Sequence, residues 1–356
     1  MTERKAMAFQ PDYRNIEACA RNRKPNRVPL YEHNISDKIM ERMTGKRFAH
    51  LLGEGSDDAL EEYFSHYCGF FREYGYDTVT FEACVTEVLP FGGALAHPQP
   101  GYIDCREKFE SYPFERVIGL YRERFEPSFR ALRRTLPQGM KCIGGVGNGI
   151  FETVQDLVGY QNLCLLSFDD PELYGQIFAK AGDLLVQLWS WLLEEYGDLY
   201  CVCRFGDDLG YKSNTMLPPT DIVEHILPQY KRIVALVHEA GKPFLLHSCG
   251  CIFSVMENLI EEVGIDAKHS NEDQIAPMRE WVERYGDRIG NFGGIDTDHL
   301  VRMEKSELIR TVTEVYRLAE DKNGGFAIGS GNSIPEYVDP ERYTVMINTV
   351  RSLRGE

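Results

Sequence analysis

The feature that most restricts the fold of this chain is a repeated unit: a short apolar run ending in polar or glycine-rich residues, then an amphipathic helical stretch. Eight such runs can be read: VPLYEHN (28–34), DTVTFEA (77–83), KCIGGVGNG (141–149), LYCVCRFGDD (199–208), KPFLLHSCG (242–250), IDAKHSN (265–271), IGNFGGID (289–296) and GFAIGSGN (325–332). From residue 199 onward they recur every ~25–45 residues, the spacing of βα units on a parallel sheet. Eight units with short connections predict an α/β protein of the closed (β/α)8 TIM-barrel type. The open doubly wound sheet is the alternative, and the missing G-x-G-x-x-G turn weighs against it.

The intervening stretches read as helices, the longest over 170–197, with an acidic start and a glycine at its end. In 219–241, Asp221 can cap and Pro228 should bend or divide the helix. Others are expected over 254–264, 276–286, 305–321 and 340–355. Residues 1–25 read as an N-terminal arm or short helix and 26–356 as a single barrel domain. The stretches 35–70 and 98–135 are long for βα connections and should carry helical insertions, such as 58–75, of the kind that roof a barrel mouth.

With 43% hydrophobic residues the chain can bury a sizeable core, and its formal charge of −16 argues against binding to nucleic acid or an anionic membrane surface. The 10 cysteines are scattered, several inside apolar runs such as LYCVCRF, which suits a reduced protein with buried thiols and not a disulfide scaffold. The opening residues MTERKAMAFQPDYRN lack a signal-peptide core, and no apolar stretch reaches ~18 residues, so a cytoplasmic protein is expected.

A barrel brings the C-terminal ends of its strands to one mouth, where ligands bind. The tips would gather Glu32, His33, Asn34, Glu82, Asn148, Asp207, Asp208, His247, Cys249, His269, Asn271, Asp296, Ser330 and Asn332. So many reactive side chains at strand ends favour an enzyme over a plain binding module.

In LLHSCGCIF (245–253), His247, Cys249 and Cys251 alternate and would share a face if the strand continued through them. Gly250 breaks that continuation, leaving His247 and Cys249 at the mouth and Cys251 at the start of the loop. Imidazole plus thiolate suits zinc, although a catalytic site needs about three protein ligands. The bland alternative is a bonded histidine with two buried thiols. In RFGDDLGYK (204–212), the adjacent Asp207 and Asp208 must point differently. One can serve in the mouth as acid, base or ligand, while the other caps a turn or pairs with Arg204. Glu82 is either a mouth residue or a carboxylate paired with a neighbouring group. Glu152, in GNGIFETVQ, is either a ligand or a first-turn glutamate favoured by the helix dipole. The GGID (293–296) and GSGN (329–332) tips fit close approach of a ligand or equally a tight ligand-free turn.

The run FGDDLG…ILPQYKRIVALVHEAGKPFLLHSCG…LIEEVGIDAKH…YGDRIGNFGGIDT…GGFAIGSGNSIP resembles the uroporphyrinogen decarboxylase superfamily, especially its branch of corrinoid-dependent methyltransferases. RKPNRVPLYEH and GIFETVQDLVGYQNLCLLSFDDPELY are similar to that family as well. In the decarboxylases, the resemblance implies N-terminal arginines that bind substrate carboxylates and an aspartate after the second strand. Here Arg27 is the one arginine at the first strand, and Glu82 and Ala83 lie near the aspartate position.

In the methyltransferase branch, the resemblance implies a zinc held by the H-x-C pair, here His247 and Cys249, and by a cysteine at the eighth strand, where Ser330 stands. Either Cys251, Glu82, Glu152 or Asp208 then completes the site, or the metal is absent. The expected activity is methyl transfer between a small O- or N-methylated donor, or a thiol, and a corrinoid protein supplied as a partner, since no D-x-H-x-x-G corrinoid module is present in the sequence. Asp208, Glu82 and Glu152 are the candidate catalytic groups, and Glu32, His33, Asp207, His269, Asp296 and Asn332 the candidate substrate-binding residues. A homodimer is in keeping with the resemblance. A decarboxylase (a lyase) working without any cofactor is the second expectation, and a non-catalytic ligand-binding barrel the third.

Overall fold

The computed structural model describes residues 9–97 and 100–356. Among these residues, seven strands form a parallel sheet whose order follows the sequence: β1 (Thr78–Cys84), β2 (Lys141–Gly147), β3 (Tyr200–Gly206), β4 (Phe244–His247), β5 (Ala267–His269), β6 (Gly290–Ile295) and β7 (Phe326–Ser330). Each coincides with one of the apolar runs.

The first run, 28–34, is not a strand. It makes an isolated parallel bridge, Leu30 with Ile328, through Tyr31 N–H to Ile328 O (2.8 Å) and Ile328 N–H to Pro29 O (2.9 Å). The reason is local: Pro29 has no N–H to extend the ladder backwards, and the Ser330 N–H that would extend it forwards is taken by the Glu32 carboxylate (3.1 Å). On its other side the segment is tied to β1, where the Thr80 hydroxyl donates to Glu32 O (2.6 Å).

The chain divides into two compact units. One holds the described residues up to Phe81 with Arg130–Ile143 and Asp266–Glu356; the other holds Glu82–Phe129 and Gly144–Ile265. The first contains β5, β6 and β7. The second contains β3 and β4, and the backbone crosses the division within β1 and β2.

In the second unit, the helix Pro171–Tyr196 starts where expected, with proline in its first turn and the Asp170 side chain accepting the Leu173 N–H (3.0 Å). Its apolar stripe, including Leu173, Ile177, Leu184, Leu188 and Trp189, is buried. The 219–241 stretch divides at its proline: a helical turn Pro219–Asp221, a π-turn Ile222–Ile226, then the helix Leu227–Glu239. Pro228 cannot donate to the preceding turn, and the wider π-turn absorbs the gap. Asp221 is not a cap, contrary to expectation; it lies inside the first turn and accepts from the Tyr174 hydroxyl (3.1 Å).

In the first unit, the helix Lys305–Asp321 matches the expected 305–321, and Pro340–Leu353 fills most of 340–355. The stretch 35–70 carries the helices Asp37–Thr44 and Asp57–Glu73. The stretch 98–135 carries Arg106–Ser111 and Phe114–Thr135; residues 98 and 99 lie outside the described residues, as do 1–8 of the proposed arm, whose remainder includes the helix Arg14–Ala20. The cysteines are free thiols. Among the described residues, no helix is long and apolar enough to cross a membrane.

Candidate functional site

β3 and β4 run in register from Cys203 opposite Phe244 to Gly206 opposite His247, so the segments that follow leave the sheet side by side. They are stitched together by Asp207 N–H to His247 O (2.9 Å), Leu209 N–H to Ser248 Oγ (3.1 Å), Gly210 N–H to Cys249 O (3.2 Å) and Cys251 N–H to Tyr211 O (2.6 Å). β4 ends at His247; Gly250, three residues further on at φ +80°, turns the chain, and a Cβ there would stand 2.2 Å from the Gly210 carbonyl carbon.

That turn leaves three ligand types together. Asp208 Oδ1 accepts the Cys249 N–H (2.9 Å) and lies 3.7 Å from His247 Nε2, while Cys249 Sγ lies 3.5 Å from the same nitrogen. The three ligand atoms lie within 4.8 Å of one another. His247 is buried and Asp208 half-exposed, so the cluster has one open side. Bonds of ~2.0–2.3 Å in tetrahedral geometry imply ligand-to-ligand edges of ~3.5 Å, so oxygen, nitrogen and sulfur are spaced to take a borderline-soft divalent ion and leave a fourth position open. Cys251 does not join them.

Asp207 points elsewhere. Fully buried, it accepts from the N–H groups of Phe151 (2.8 Å) and Glu152 (2.7 Å) and from the Tyr230 hydroxyl (2.5 Å). It thus caps the helix Ile150–Val158 from another strand, where sequence reasoning made it a substrate-binding residue. Burial pushes its carboxyl up to about 7, against the lowering effect of those three hydrogen bonds.

Glu152 sits in the first turn of that helix. Burial, and then the negative charges of Asp207 and Asp208, hold its carboxyl well above the ordinary range. Asn148, in the left-handed region at φ +64°, donates to Glu152 Oε2 (2.8 Å) and accepts from the Thr86 hydroxyl (2.8 Å). Glu82 pairs with the fully buried Arg204 (2.6 Å), the paired alternative foreseen for it.

In the first unit the polar tips are bound to one another. Glu32 is buried against the Ser330 N–H and hydroxyl (3.1 and 2.6 Å) and beside Tyr76, whose hydroxyl meets that of Tyr343 (2.6 Å). Burial raises its carboxyl to about 8. Ser330, at the position where the resemblance implies a zinc-binding cysteine, is fully buried, with its hydroxyl shared between Glu32 and Asn332 O. His269 donates from Nε2 to Ser330 O (3.0 Å), and its ring stacks on His33 with centroids 5.7 Å apart. Asp296, expected to bind substrate, caps the helix Thr297–Arg302 by accepting from Asp298 N–H (2.8 Å), and also takes the Asp273 N–H (2.7 Å). The Asn332 side chain accepts from Ser333 N–H (2.7 Å). The glycines of GGID admit a neighbour: the Asn271 side chain accepts the Gly294 N–H (2.8 Å), and a Cβ on Gly293 would sit 3.0 Å from that same oxygen.

Tyr230, Tyr76 and Tyr343 escaped sequence reasoning. Tyr230 lies on a helical apolar stripe, where nothing in the spacing separates a phenol bonded to a carboxylate from core packing.

Residues 122–353 match the family model for uroporphyrinogen decarboxylase (URO-D), and the chain belongs to that family. Among solved structures it is similar to a methyltransferase from Methanosarcina mazei, with a TM-score of 0.70 and 13% identity over 96% of this chain and 98% of that one. It is also similar to a structure assigned as a vitamin B12-independent methionine synthase of Listeria monocytogenes, with a TM-score of 0.52 and 12% identity over 93% and 100% of the two chains. At such identities the likeness speaks for the fold. No curated protein sequence matches the chain.

Proposed function

We propose that the chain is a methyltransferase that moves a methyl group from a small O- or N-methylated donor to a corrinoid carried by a partner protein, assisted by a zinc ion on Asp208, His247 and Cys249. The observation that carries this reading is the convergence of those three ligand atoms within 4.8 Å. The methyltransferase likeness of the fold supports it. A bound zinc would act as a Lewis acid at the donor heteroatom.

The chain's own residues supply the rest. Burial and its two aspartate neighbours raise the affinity of Glu152 for its proton, and in this reading it delivers that proton to the leaving oxygen as the carbon–oxygen bond breaks. The bonding pair stays on the oxygen, and the methyl group would be taken by the electron pair of a reduced corrinoid brought by the partner. Asn148 aims Glu152, and Asp208 orients Cys249 through its backbone N–H. A polycarboxylate substrate of the decarboxylase type would need free cations, whereas the buried Arg204 is already bonded to Glu82. The same reading takes 28–34 as the reduced first strand of an eight-stranded barrel, supported by its two backbone bonds to β7.

The test is metal analysis of the purified chain beside a methyl-transfer assay, in which methyl ethers and methylamines are offered with free cob(I)alamin and its visible spectrum is followed. Stoichiometric zinc, lost in His247→Ala together with methylcobalamin formation, supports the reading. A metal-free protein that releases carbon dioxide from porphyrinogens would overturn it.

A further inference from the structure

We infer that Asp207 is a positioning residue: a buried brace that fixes the proton carrier Glu152 relative to the metal half-site. The inference rests on the proposed function above, and four observations converge on it. Asp207 spends both carboxylate oxygens on the first turn of the helix Ile150–Val158, through the N–H groups of Phe151 and Glu152. Its own N–H donates to His247 O (2.9 Å), so one residue joins the backbone of Glu152 to the backbone of a metal-type ligand. The Tyr230 hydroxyl, wholly buried, holds the carboxylate from a third element (2.5 Å). Finally, Gly149 is shaped to receive it: a Cβ there would lie 2.4 Å from the Asp207 side chain.

A helix cap serving stability alone needs none of this. Ser, Thr, Asp or Asn at position 149 would satisfy the same N–H groups locally. Instead the cap position is a glycine, and the carboxylate comes from 55 residues away, from the residue next to Asp208. The adjacent aspartates therefore divide the work. Asp208 orients Cys249, Asp207 orients Glu152, and the single peptide between them sets the distance. An error of ~1 Å in such a distance costs on the order of 10²-fold in rate.

The experiment uses the full chain with Asp207→Asn and Tyr230→Phe, measuring kcat, KM and the binding of Co2+ alone through its thiolate-to-metal charge-transfer absorption. Asp207→Asn is isosteric but turns an amide NH2 towards an N–H donor. Its kcat should fall ~10²-fold with KM within about threefold, while the Co2+ absorption is retained. Tyr230→Phe keeps both backbone bonds, and its kcat should fall about threefold to tenfold. A folded Asp207→Asn protein that binds Co2+ and keeps full kcat overturns the inference. If that variant does not fold, an unchanged kcat in Tyr230→Phe overturns it instead. Failure of the metal-assisted reading is separable, because the unaltered chain would then bind no Co2+ through a thiolate.

Discussion

The tips of β3 and β4 and the tips of β6 and β7 carry the same kinds of residue, carboxylates and glycines with a histidine close by, yet the two regions use them differently. Around the tips of β6 and β7, Glu32 from the 28–34 segment, Asn271 after β5 and Asp296 after β6 each accept backbone N–H groups of a neighbouring segment, and the glycines make room for those approaches. After β3 and β4, one carboxylate is consumed in the same way, by the N–H groups of the helix Ile150–Val158. The next converges with an imidazole and a thiol. A strand-end carboxylate here bonds backbone N–H groups in either region, and what sets Asp208 apart is that among the described residues it takes only the Cys249 N–H and stays half-exposed beside the imidazole and the thiol.

The widest separation between the two regions should come from the metal ligands. His247→Ala or Cys249→Ala should abolish stoichiometric zinc and lower methyl transfer by ~10³-fold, the several kcal/mol of a lost Lewis acid. Metal analysis and turnover on the same sample check it.

Next in size, Glu152→Gln should retain zinc while kcat falls ~10²-fold. Because the Glu152 carboxyl is held above its ordinary range, the unaltered protein should keep the proton to higher pH than an ordinary glutamate and lose activity as pH rises through the raised value. The pH–rate profile of Glu152→Gln should lack that alkaline limb.

The β6–β7 region should answer in stability. Glu32 titrates near 8 in the fold against an ordinary 4.5, so its contribution is fully present below about 4.5 and is lost as pH rises through about 8. Thermal melts across that window should show Tm of the unaltered chain falling with pH more steeply than that of Glu32→Gln. Asp296→Ala removes a cap and should lower stability by ~1–2 kcal/mol in a denaturant titration, with zinc content unaltered. Smallest of all, Cys251→Ser should leave zinc stoichiometry and kcat within about twofold; a loss of zinc would place Cys251 inside the cluster after all.

Much of the fold was legible because parallel strands read as continuous apolar runs, and seven of the eight runs form strands. The exception, 28–34, failed on two residues whose effect is on hydrogen bonds and not on hydropathy, Pro29 and Glu32. Within the site, the expectation that Cys251 lies past the strand holds, although the strand ends already at His247 and not at Gly250. That Asp207 and Asp208 differ was legible, but that Asp207 is the one that caps was not, because this depends on Phe151, Glu152 and Tyr230, which are distant in sequence. Nor could spacing show that Arg204 pairs with Glu82, 122 residues away.

Gly210 and Gly250 press backbone against backbone beside the candidate metal ligands, where even a methyl group would part them. Neither has a side chain to offer a substrate, a proton or an ion. In a mutational scan they would nonetheless score among the most sensitive positions of the protein. Sensitivity there would measure how closely two segments must be moored, and a map of intolerant sites would overstate the catalytic centre by at least these two positions.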